Sequence, residues 1–243
     1  MEVCEGMDVF RRRELKFLLD GRQREDLEQM LREYMVPDKY GRSTICNLYY
    51  DTEDFRLIRH SLERPVYKEK LRLRSYGVVE PGTDVFLEMK KKYRGIVYKR
   101  RMQVTEEEAK AFMERSAPLP QDNQIGRELI YFRDFYGDLE PRVHLSYERE
   151  AWFGKEDSGF RMTLDQNIRY RTADLSLASP VGGSKILTDE MSLLEVKASG
   201  GIPLWLMEHL SRSRIHKQSF SKYGRAYMQL LDKRLESRGH SYA

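Results

Sequence analysis

Alternating hydrophobic and polar residues recur along most of the chain, and this pattern is typical of β-strands, whose successive side chains point to opposite faces of a sheet. The alternation predicts eight strands, which span about residues 9–18, 42–51, 65–76, 84–92, 95–103, 141–153, 160–170 and 191–198. A turn at Pro81–Asp84 and a glycine-containing connection at Lys92–Gly95 join the third, fourth and fifth of these segments. Residues 65–103 therefore predict a three-stranded antiparallel meander.

Helical periodicity fills the intervals between the predicted strands. The predicted helices span about residues 21–35, 53–62, 105–115, 123–136, 203–211 and 221–235. The third begins with Thr105 and has Glu108 three residues later, the spacing of a capping box. Residues 176–184, with Pro180 and a Gly-Gly pair, predict a surface loop. The fold class is α+β, with the strands determining the plan.

Charge collects on one face of several predicted strands. Lys68, Lys70, Arg72 and Arg74 share a face of one strand, and a face exposed to solvent is the ordinary explanation for such a pattern. Four further strands show the same segregation: Glu88 with Lys90 and Lys92, Lys99 with Arg101, Arg161 with Asp165 and Arg169, and Glu195 with Lys197. The repetition favours a shared charged surface over five unrelated exposed faces.

The opposite faces of these strands are apolar and need partners, which the apolar stripes of the predicted helices can supply from outside the sheet. The charged faces then point inward if the sheet curls or closes. A cavity lined by Lys and Arg repels itself unless it holds water and anions. Arg offers phosphate a planar, bidentate donor and Lys a point charge. The pattern therefore predicts a cavity that binds a phosphate-rich anion.

Three acids lie among these bases: Glu14, Glu88 and Glu195. One hypothesis makes them ligands of a hard divalent cation that bridges to phosphate oxygens, and the alternative is that each neutralises a neighbouring base. Near the end of the chain, Ser221 and Lys222 stand where the last helix begins, a position that favours an anion. Ser221 acting as a plain helix N-cap is the alternative, and both roles are compatible.

Length and composition set the limits of these expectations. The chain has 243 residues, a size that one core supports, and a net charge of only +4. We expect one domain over residues 9–235, with tails at 1–8 and 236–243. Cys4 and Cys46 match no metal spacing and indicate free thiols. The acidic N-terminus and the absence of a long apolar stretch predict a soluble, cytoplasmic chain without a membrane segment. The basic strands lack interleaved aromatic residues, which argues against nucleic acid as a partner.

Nine segments in order resemble the VTC domain, the polyphosphate polymerase domain of the CYTH-like triphosphate tunnel metalloenzyme superfamily. No segment is specific alone, but nine in register cover nearly the whole chain. They are Arg12–Lys16, Leu48–Thr52, Lys70–Gly77, Phe86–Lys90, Val97–Arg101, Tyr147–Arg149, Arg161–Asp165, Leu194–Lys197 and Ser219–Tyr223.

The resemblance implies an eight-stranded antiparallel β tunnel barrel with helices packed outside, which holds a nucleoside triphosphate such as ATP, a growing polyphosphate and Mn²⁺ or Mg²⁺. By motif, the phosphate ligands would be Lys16, Arg72, Arg74, Lys90, Arg149, Arg161, Ser221 and Lys222. Glu195 would be the principal metal ligand, and Lys99, Arg101 and Lys197 match the family less distinctively. Hydrolytic relatives resemble Glu-x-Glu-x-Lys on the first strand, whereas this chain has Arg12 in place of the first acid.

Three functions remain open from the sequence. The first is a phosphotransferase that passes the γ-phosphoryl group of ATP to polyphosphate, alone or with a separate membrane partner. The second is an inorganic or nucleoside triphosphatase on the same barrel, which the loss of a carboxylate at Arg12 disfavours. The third is a non-catalytic module that binds polyphosphate or inositol polyphosphate. The polymerase reaction needs no protein nucleophile. Few polar residues surround His144 in the sequence, so we expect this histidine to be structural or exposed rather than catalytic.

Overall fold

The computed structural model describes residues 13–94 and 96–239 and has α+β architecture. Arg12, Cys4 and the first residues of the predicted first strand lie outside the described residues. The strands are β1 (Arg13–Leu19), β2 (Met35–Pro37), β3 (Ser43–Asp51), β4 (Tyr67–Tyr76), β5 (Val85–Tyr93), β6 (Ile96–Val104), β7 (Glu140–Gly154), β8 (Arg161–Arg171), β9 (Ser184–Lys185) and β10 (Ser192–Ala198). The helices are α1 (Gly21–Tyr34), α2 (Arg56–Leu62), α3 (Glu106–Met113), α4 (Gln124–Tyr136), α5 (Leu204–Arg212) and α6 (Lys222–Gly239).

Eight strands form one continuous antiparallel sheet in the order β1-β10-β8-β7-β3-β4-β5-β6, and the short strands β2 and β9 pair with β7 and β8. The strands β4, β5 and β6 form the predicted meander. Within the described residues, β1 and β6 end the order and are not paired with each other. The sheet is nevertheless strongly curled. The evidence is the distance of 3.7 Å between Lys90 Nζ of β5 and Glu14 Oε2 of β1, which lie far apart in the strand order.

Two apolar clusters cover the convex face of this sheet. In one, Leu73 and Leu87 of the meander pack with Phe112 of α3 and Phe132 of α4. In the other, strands β1, β8 and β10 pack against α1 and α5. The charged positions of the same strands alternate with these apolar ones and so face the concave side. The prediction that the charged faces point inward and the helices lie outside is confirmed for this part of the molecule.

The helix α6 departs from the prediction that the helices lie outside the sheet, because it packs on the concave side. Tyr223, Ala226 and Tyr227 of α6 join Tyr49 of β3 and Tyr147 of β7 in a third apolar cluster. The Tyr223 ring stacks on Tyr49 with ring centroids 4.4 Å apart. One part of the interior is therefore filled by a helix, and the charged side chains line the rest.

The segment 176–184 is only partly the surface loop that its composition predicts. Leu177 is fully buried in the cluster beneath α3, where its N–H donates to Glu106 Oε1 at 2.8 Å. Its carbonyl oxygen accepts from the N–H of Val79 at 3.0 Å. The glycine and proline content of the segment predicts a loop, but Leu177 is a buried apolar residue within it. The strand β9 begins at Ser184, the last residue of the segment.

Candidate functional site

The first of two charge clusters on the concave face surrounds Glu88, whose side chain is only 1% exposed. Arg72 donates to Glu88 Oε2 from Nε at 2.9 Å and from Nη2 at 2.8 Å. Lys99 Nζ and Arg101 Nε approach Oε1, each at 2.7 Å. Arg74 Nε lies 3.8 Å from Oε2. The register causes this convergence, because Glu88 on β5 lies directly between Arg72 on β4 and Arg101 on β6.

Electrostatics keeps Glu88 ionised. Burial alone would raise the pKa of this carboxyl group, but Arg72, Arg74 and Lys99 hold the pKa of Glu88 well below its usual range. Desolvation lowers the pKa of Lys99 to about 8, and Glu88 offsets only part of that effect. One carboxylate shared by four cations leaves an excess of positive charge that a larger anion can neutralise.

Uncharged side chains fix the orientation of the two arginines. The Tyr49 hydroxyl accepts from Arg72 Nη1 at 3.1 Å. Arg74 donates from Nε to Asn47 Oδ1 at 3.0 Å and from Nη2 to the Tyr147 hydroxyl at 3.3 Å. Both guanidinium groups are therefore held in fixed positions, which suits the binding of tetrahedral anions.

The second cluster surrounds Glu195 of β10 and Asp165 of β8. Arg149 donates to both Asp165 oxygens, at 2.6 and 2.7 Å, and to Glu195 Oε2 at 3.2 Å. Lys222 Nζ lies 2.5 Å from Asp165 Oδ2 and 3.0 Å from Glu195 Oε1. Lys16 Nζ lies 3.1 Å from the same Glu195 oxygen. Three cations from β1, β7 and α6 meet two carboxylates.

The position of Lys222 depends on the start of α6. The Ser221 hydroxyl accepts from the N–H of Gly224 at 3.1 Å, which is N-cap geometry, and also accepts from Lys70 Nζ at 3.0 Å. Desolvation, with repulsion from Lys90, lowers the pKa of Lys70 to about 7. The N-cap role expected for Ser221 and its place in the cationic site occur together.

The acids Glu14 and Glu195 approach the same ammonium group. Lys16 Nζ lies 3.3 Å from Glu14 Oε1 and 3.1 Å from Glu195 Oε1. Burial raises the pKa of Glu195, but Lys222, Lys16 and Arg149 keep it well below the ordinary value. Carboxylate oxygens are the ligands that hard divalent cations prefer, and Glu14 and Glu195 would share such a cation with phosphate oxygens. Glu88 lies apart from them, enclosed by four cations.

No group of three or more His, Cys, Asp or Glu side chains within residues 13–94 and 96–239 is arranged to hold a metal ion by itself. A divalent cation here would therefore depend on oxygen ligands from the bound phosphates as well as from Glu14 and Glu195.

Two predicted site residues lie at the margin of the clusters. Lys197 stands two positions after Glu195 on β10, where desolvation lowers its pKa and Glu195 opposes that shift. Arg161, directly opposite Lys197 on β8, pairs with Asp38 at 3.8 Å and lies over the Phe153 ring. The structure therefore places Arg161 two residue pairs beyond Glu195.

Sequence reasoning did not assign a site role to Asp165, Asn47, Tyr49 or Tyr147. Asp165 is fully buried and shares a strand face with Arg161, which is the one signal that the sequence offers for it. The other three are uncharged residues in strand patterns and resemble ordinary core or edge positions. Only their contacts with the arginines reveal them.

Comparison with solved structures places the fold among known proteins. An adenylate cyclase candidate from Bacillus halodurans superposes with a TM-score of 0.53 and 17% identity, covering 86% of this chain and 92% of that one. HpAC1 from Hippeastrum, an adenylyl cyclase candidate with a dominant triphosphatase activity, gives a TM-score of 0.54 and 16% identity over the same shares. No curated protein matches the sequence.

The profile of the VTC domain matches residues 11–231, which include both charge clusters and the start of α6. That range covers nearly all of the curled sheet and the predicted phosphate ligands. This chain belongs to the VTC domain family and has the fold of the CYTH-like triphosphate tunnel proteins.

Proposed function

We propose that the chain transfers the γ-phosphoryl group of ATP to the end of a polyphosphate chain on the concave face of the sheet. The observation that carries the proposal is the charge imbalance of the two clusters and their margin, where ten cations of the described residues lie with four carboxylates. The cations are Lys16, Lys70, Arg72, Arg74, Lys90, Lys99, Arg101, Arg149, Lys197 and Lys222, and the carboxylates are Glu14, Glu88, Asp165 and Glu195.

Two neighbouring clusters suit a reaction between two phosphate groups. The Glu88 cluster and the Glu195 cluster would each hold part of one long phosphate array. A terminal phosphate oxygen of the acceptor attacks the γ-phosphorus, the bond from that phosphorus to the β–γ bridging oxygen breaks, and ADP leaves. Positioning and charge neutralisation dominate such a transfer, and no protein nucleophile is required.

A divalent cation held by Glu195 and Glu14 would complete the site. That cation would neutralise charge on the transferred phosphoryl group. Lys16, which lies between the two carboxylates, would move its hydrogen bonds to phosphate oxygens when the cation binds. Lys70 and Lys99, whose pKa values are about 7 and 8, would be held in their charged forms by a bound phosphate.

The direct test is incubation of the purified chain with ATP and Mn²⁺, followed by gel separation of acid-labile phosphate polymers. We expect polymer from the natural chain, no polymer from Glu195→Gln, and normal polymer from Glu107→Gln, an exposed acid of α3. Absence of polymer from the natural chain, with and without added short polyphosphate as acceptor, would rule out polymerase activity of this chain alone.

A triphosphatase is the second candidate, because HpAC1, which shares the fold, has a dominant triphosphatase activity. In that reaction water takes the place of the acceptor phosphate. Orthophosphate release from ATP or tripolyphosphate, stoichiometric with loss of substrate and without polymer, would select this activity. Tight tripolyphosphate binding with no turnover would instead select a binding module.

The structure contains no helix within its described residues that is long and apolar enough to cross a membrane. The proposal also allows a separate membrane protein as a partner in polymer synthesis. Adding membranes to the polymer assay tests it, since a required partner would raise polymer yield from the purified chain.

A further inference from the structure

A second pocket lies on the convex side of the sheet, between α2, α4 and the first residues of β4. Its volume is about 440 Å³. Aromatic side chains form much of its lining, and one carboxylate is among them: Tyr67, Glu69, Tyr131, Phe135 and Tyr136. Glu69 shares its strand face with Leu71 and Leu73 of the buried cluster, so the pocket opens on the face opposite the two charge clusters.

Glu69 is a buried carboxylate without a cationic partner. Its side chain is held by two tyrosines, since the Tyr67 hydroxyl donates to Oε2 at 2.5 Å and the Tyr136 hydroxyl donates to Oε1 at 2.7 Å. The residue is 8% exposed. Among the described residues, no Lys, Arg or His nitrogen forms an ion pair with it. Each oxygen keeps a lone pair free, and a buried charge without a counter-ion is costly.

The surrounding rings attract cations. Tyr131 and Phe135 stack with centroids 6.0 Å apart and are 68% and 55% exposed. The Arg56 guanidinium already lies 5.9 Å from the Phe135 centroid and 5.4 Å from the Tyr136 centroid. An aromatic face draws positive charge within about 6 Å. Arg56 remains beyond ion-pair distance of Glu69, so it stabilises the rings without neutralising the carboxylate.

We propose that this pocket binds an alkylammonium group, with its N–H donors on Glu69 and its carbon chain against the tyrosine rings. A primary ammonium fits better than a quaternary one, because the free lone pairs of Glu69 need N–H donors. The group would come from a free amine or from a lysine side chain of a partner protein. This ligand is independent of the phosphates proposed for the concave face.

The experiment titrates the full chain with n-butylammonium, using two-dimensional NMR of backbone amides. We expect saturable shifts in α4 and at the start of β4, and none with n-butanol, which has the same shape without the charge. Glu69→Gln keeps the shape of the side chain, and its amide can accept from one tyrosine hydroxyl and donate to the oxygen of the other. It removes the charge, and we expect at least tenfold weaker binding. Equal binding by the natural chain and Glu69→Gln, or by n-butanol, would overturn the proposal.

Two further variants separate binding from folding. Tyr131→Ala removes an exposed ring and should weaken binding severalfold, whereas Tyr40→Ala, an equally exposed tyrosine outside the pocket, should leave it unchanged. Arg56→Gln removes a competing positive charge and should tighten binding, a gain that misfolding cannot produce. Weaker binding of n-butylammonium by Arg56→Gln would contradict the proposal, because removal of a repelling charge should strengthen the binding of a cation.

The source of the ammonium group is distinguished by two probes. Nα-acetyl-lysine methylamide represents a lysine within a polypeptide, and spermidine represents a free amine. Tighter binding of the first than of n-butylammonium supports a partner protein, and tighter binding of the second supports a free amine. Saturating tripolyphosphate should leave the affinity for Nα-acetyl-lysine methylamide unchanged, whereas tighter binding of this amine in its presence would place the amine beside the phosphates on the concave face and refute the proposal.

Discussion

Glu88 holds four cations with one carboxylate and is almost fully buried. Removal of one partner from a buried ionic cluster leaves the other charges uncompensated. The loss of folding free energy is then larger than the free energy that the intact cluster contributes. Glu88 therefore offsets part of the repulsion among the four cations. A bound phosphate would supply the same negative charge in greater amount.

We predict that Glu88→Gln lowers the free energy of unfolding by about 3–5 kcal/mol, because four cations lose their counter-ion. Tripolyphosphate should restore a large part of that loss. Urea denaturation with and without tripolyphosphate measures both effects, with Glu107→Gln as the matched surface control. Unchanged stability of Glu88→Gln in the absence of tripolyphosphate would show that Glu88 does not balance the cluster.

His144, which we expect to be structural or exposed, is fully buried. Neither ring nitrogen has a hydrogen-bond partner, and desolvation, with repulsion from Arg171, lowers its pKa to about 4. The unfolded chain binds a proton near pH 6.5 and the folded chain does not. Stability is therefore full above pH 6.5 and falls as the pH drops from 6.5 to 4.

We predict that His144→Leu removes this pH dependence, which is worth about 3 kcal/mol between pH 7 and pH 4. At pH 7 the variant should be at least as stable as the natural chain, because an unpaired imidazole is replaced by an apolar side chain. Denaturation curves at pH 7, 6, 5 and 4 test this. His216→Leu, an exposed histidine, is the control and should keep the slope.

At the scale of elements, strand alternation predicted the eight strands of the continuous sheet, and helical periodicity predicted the six helices that the described residues form. Both signals are local and strong over long segments. The strands β2 and β9 have two or three residues and are too short to show a period. The concave position of α6 was not predictable, because its apolar stripe packs equally well on either face of a sheet.

The helix α6 is tied to α2 through Asp51 at the end of β3. The Asp51 carboxylate accepts from the N–H groups of Leu57 and Ile58 in α2 and from the Tyr223 hydroxyl of α6 at 2.8 Å. Desolvation raises the pKa of Asp51, and these donors oppose that shift. One buried carboxylate thus joins a strand and two helices.

We predict that Tyr223→Phe lowers the free energy of unfolding by about 1.5–3 kcal/mol, since a hydrogen bond to a buried carboxylate is lost. Tyr227→Phe is the matched control, because Tyr227 lies in the same cluster without a comparable contact. Chemical denaturation of both variants measures the two changes in the free energy of unfolding. Equal losses would assign the effect to ring packing instead of the Asp51 contact.

At the scale of the whole molecule, the sequence predicted that charged faces gather, but not which cation meets which acid. The cation residues Lys16, Arg149 and Lys222 reach Glu195 from β1, β7 and α6, which are far apart in the chain. Their meeting depends on long-range register and on the curl of the sheet. Neither quantity is encoded in the local alternation of one strand.

We predict that tripolyphosphate stabilises the chain, and that the gain shrinks as salt rises, because the site attracts it by charge. At one hundred times its dissociation constant, the ligand should add about 2.7 kcal/mol, or roughly 5–10 °C in melting temperature. Thermal melts in 0.05 and 0.5 M NaCl measure this. Sulfate at matched ionic strength is the control, and an equal gain from sulfate would exclude a specific polyanion site.

The contact between Lys90 and Glu14 joins strands from opposite regions of the curled sheet through side chains alone. Such an ion pair can break and form again without the loss of backbone hydrogen bonds between the described strands. If the chain binds ATP and polyphosphate as proposed, breaking this ion pair would let the space between β1 and β5 widen around a nucleotide and narrow around a polyphosphate chain.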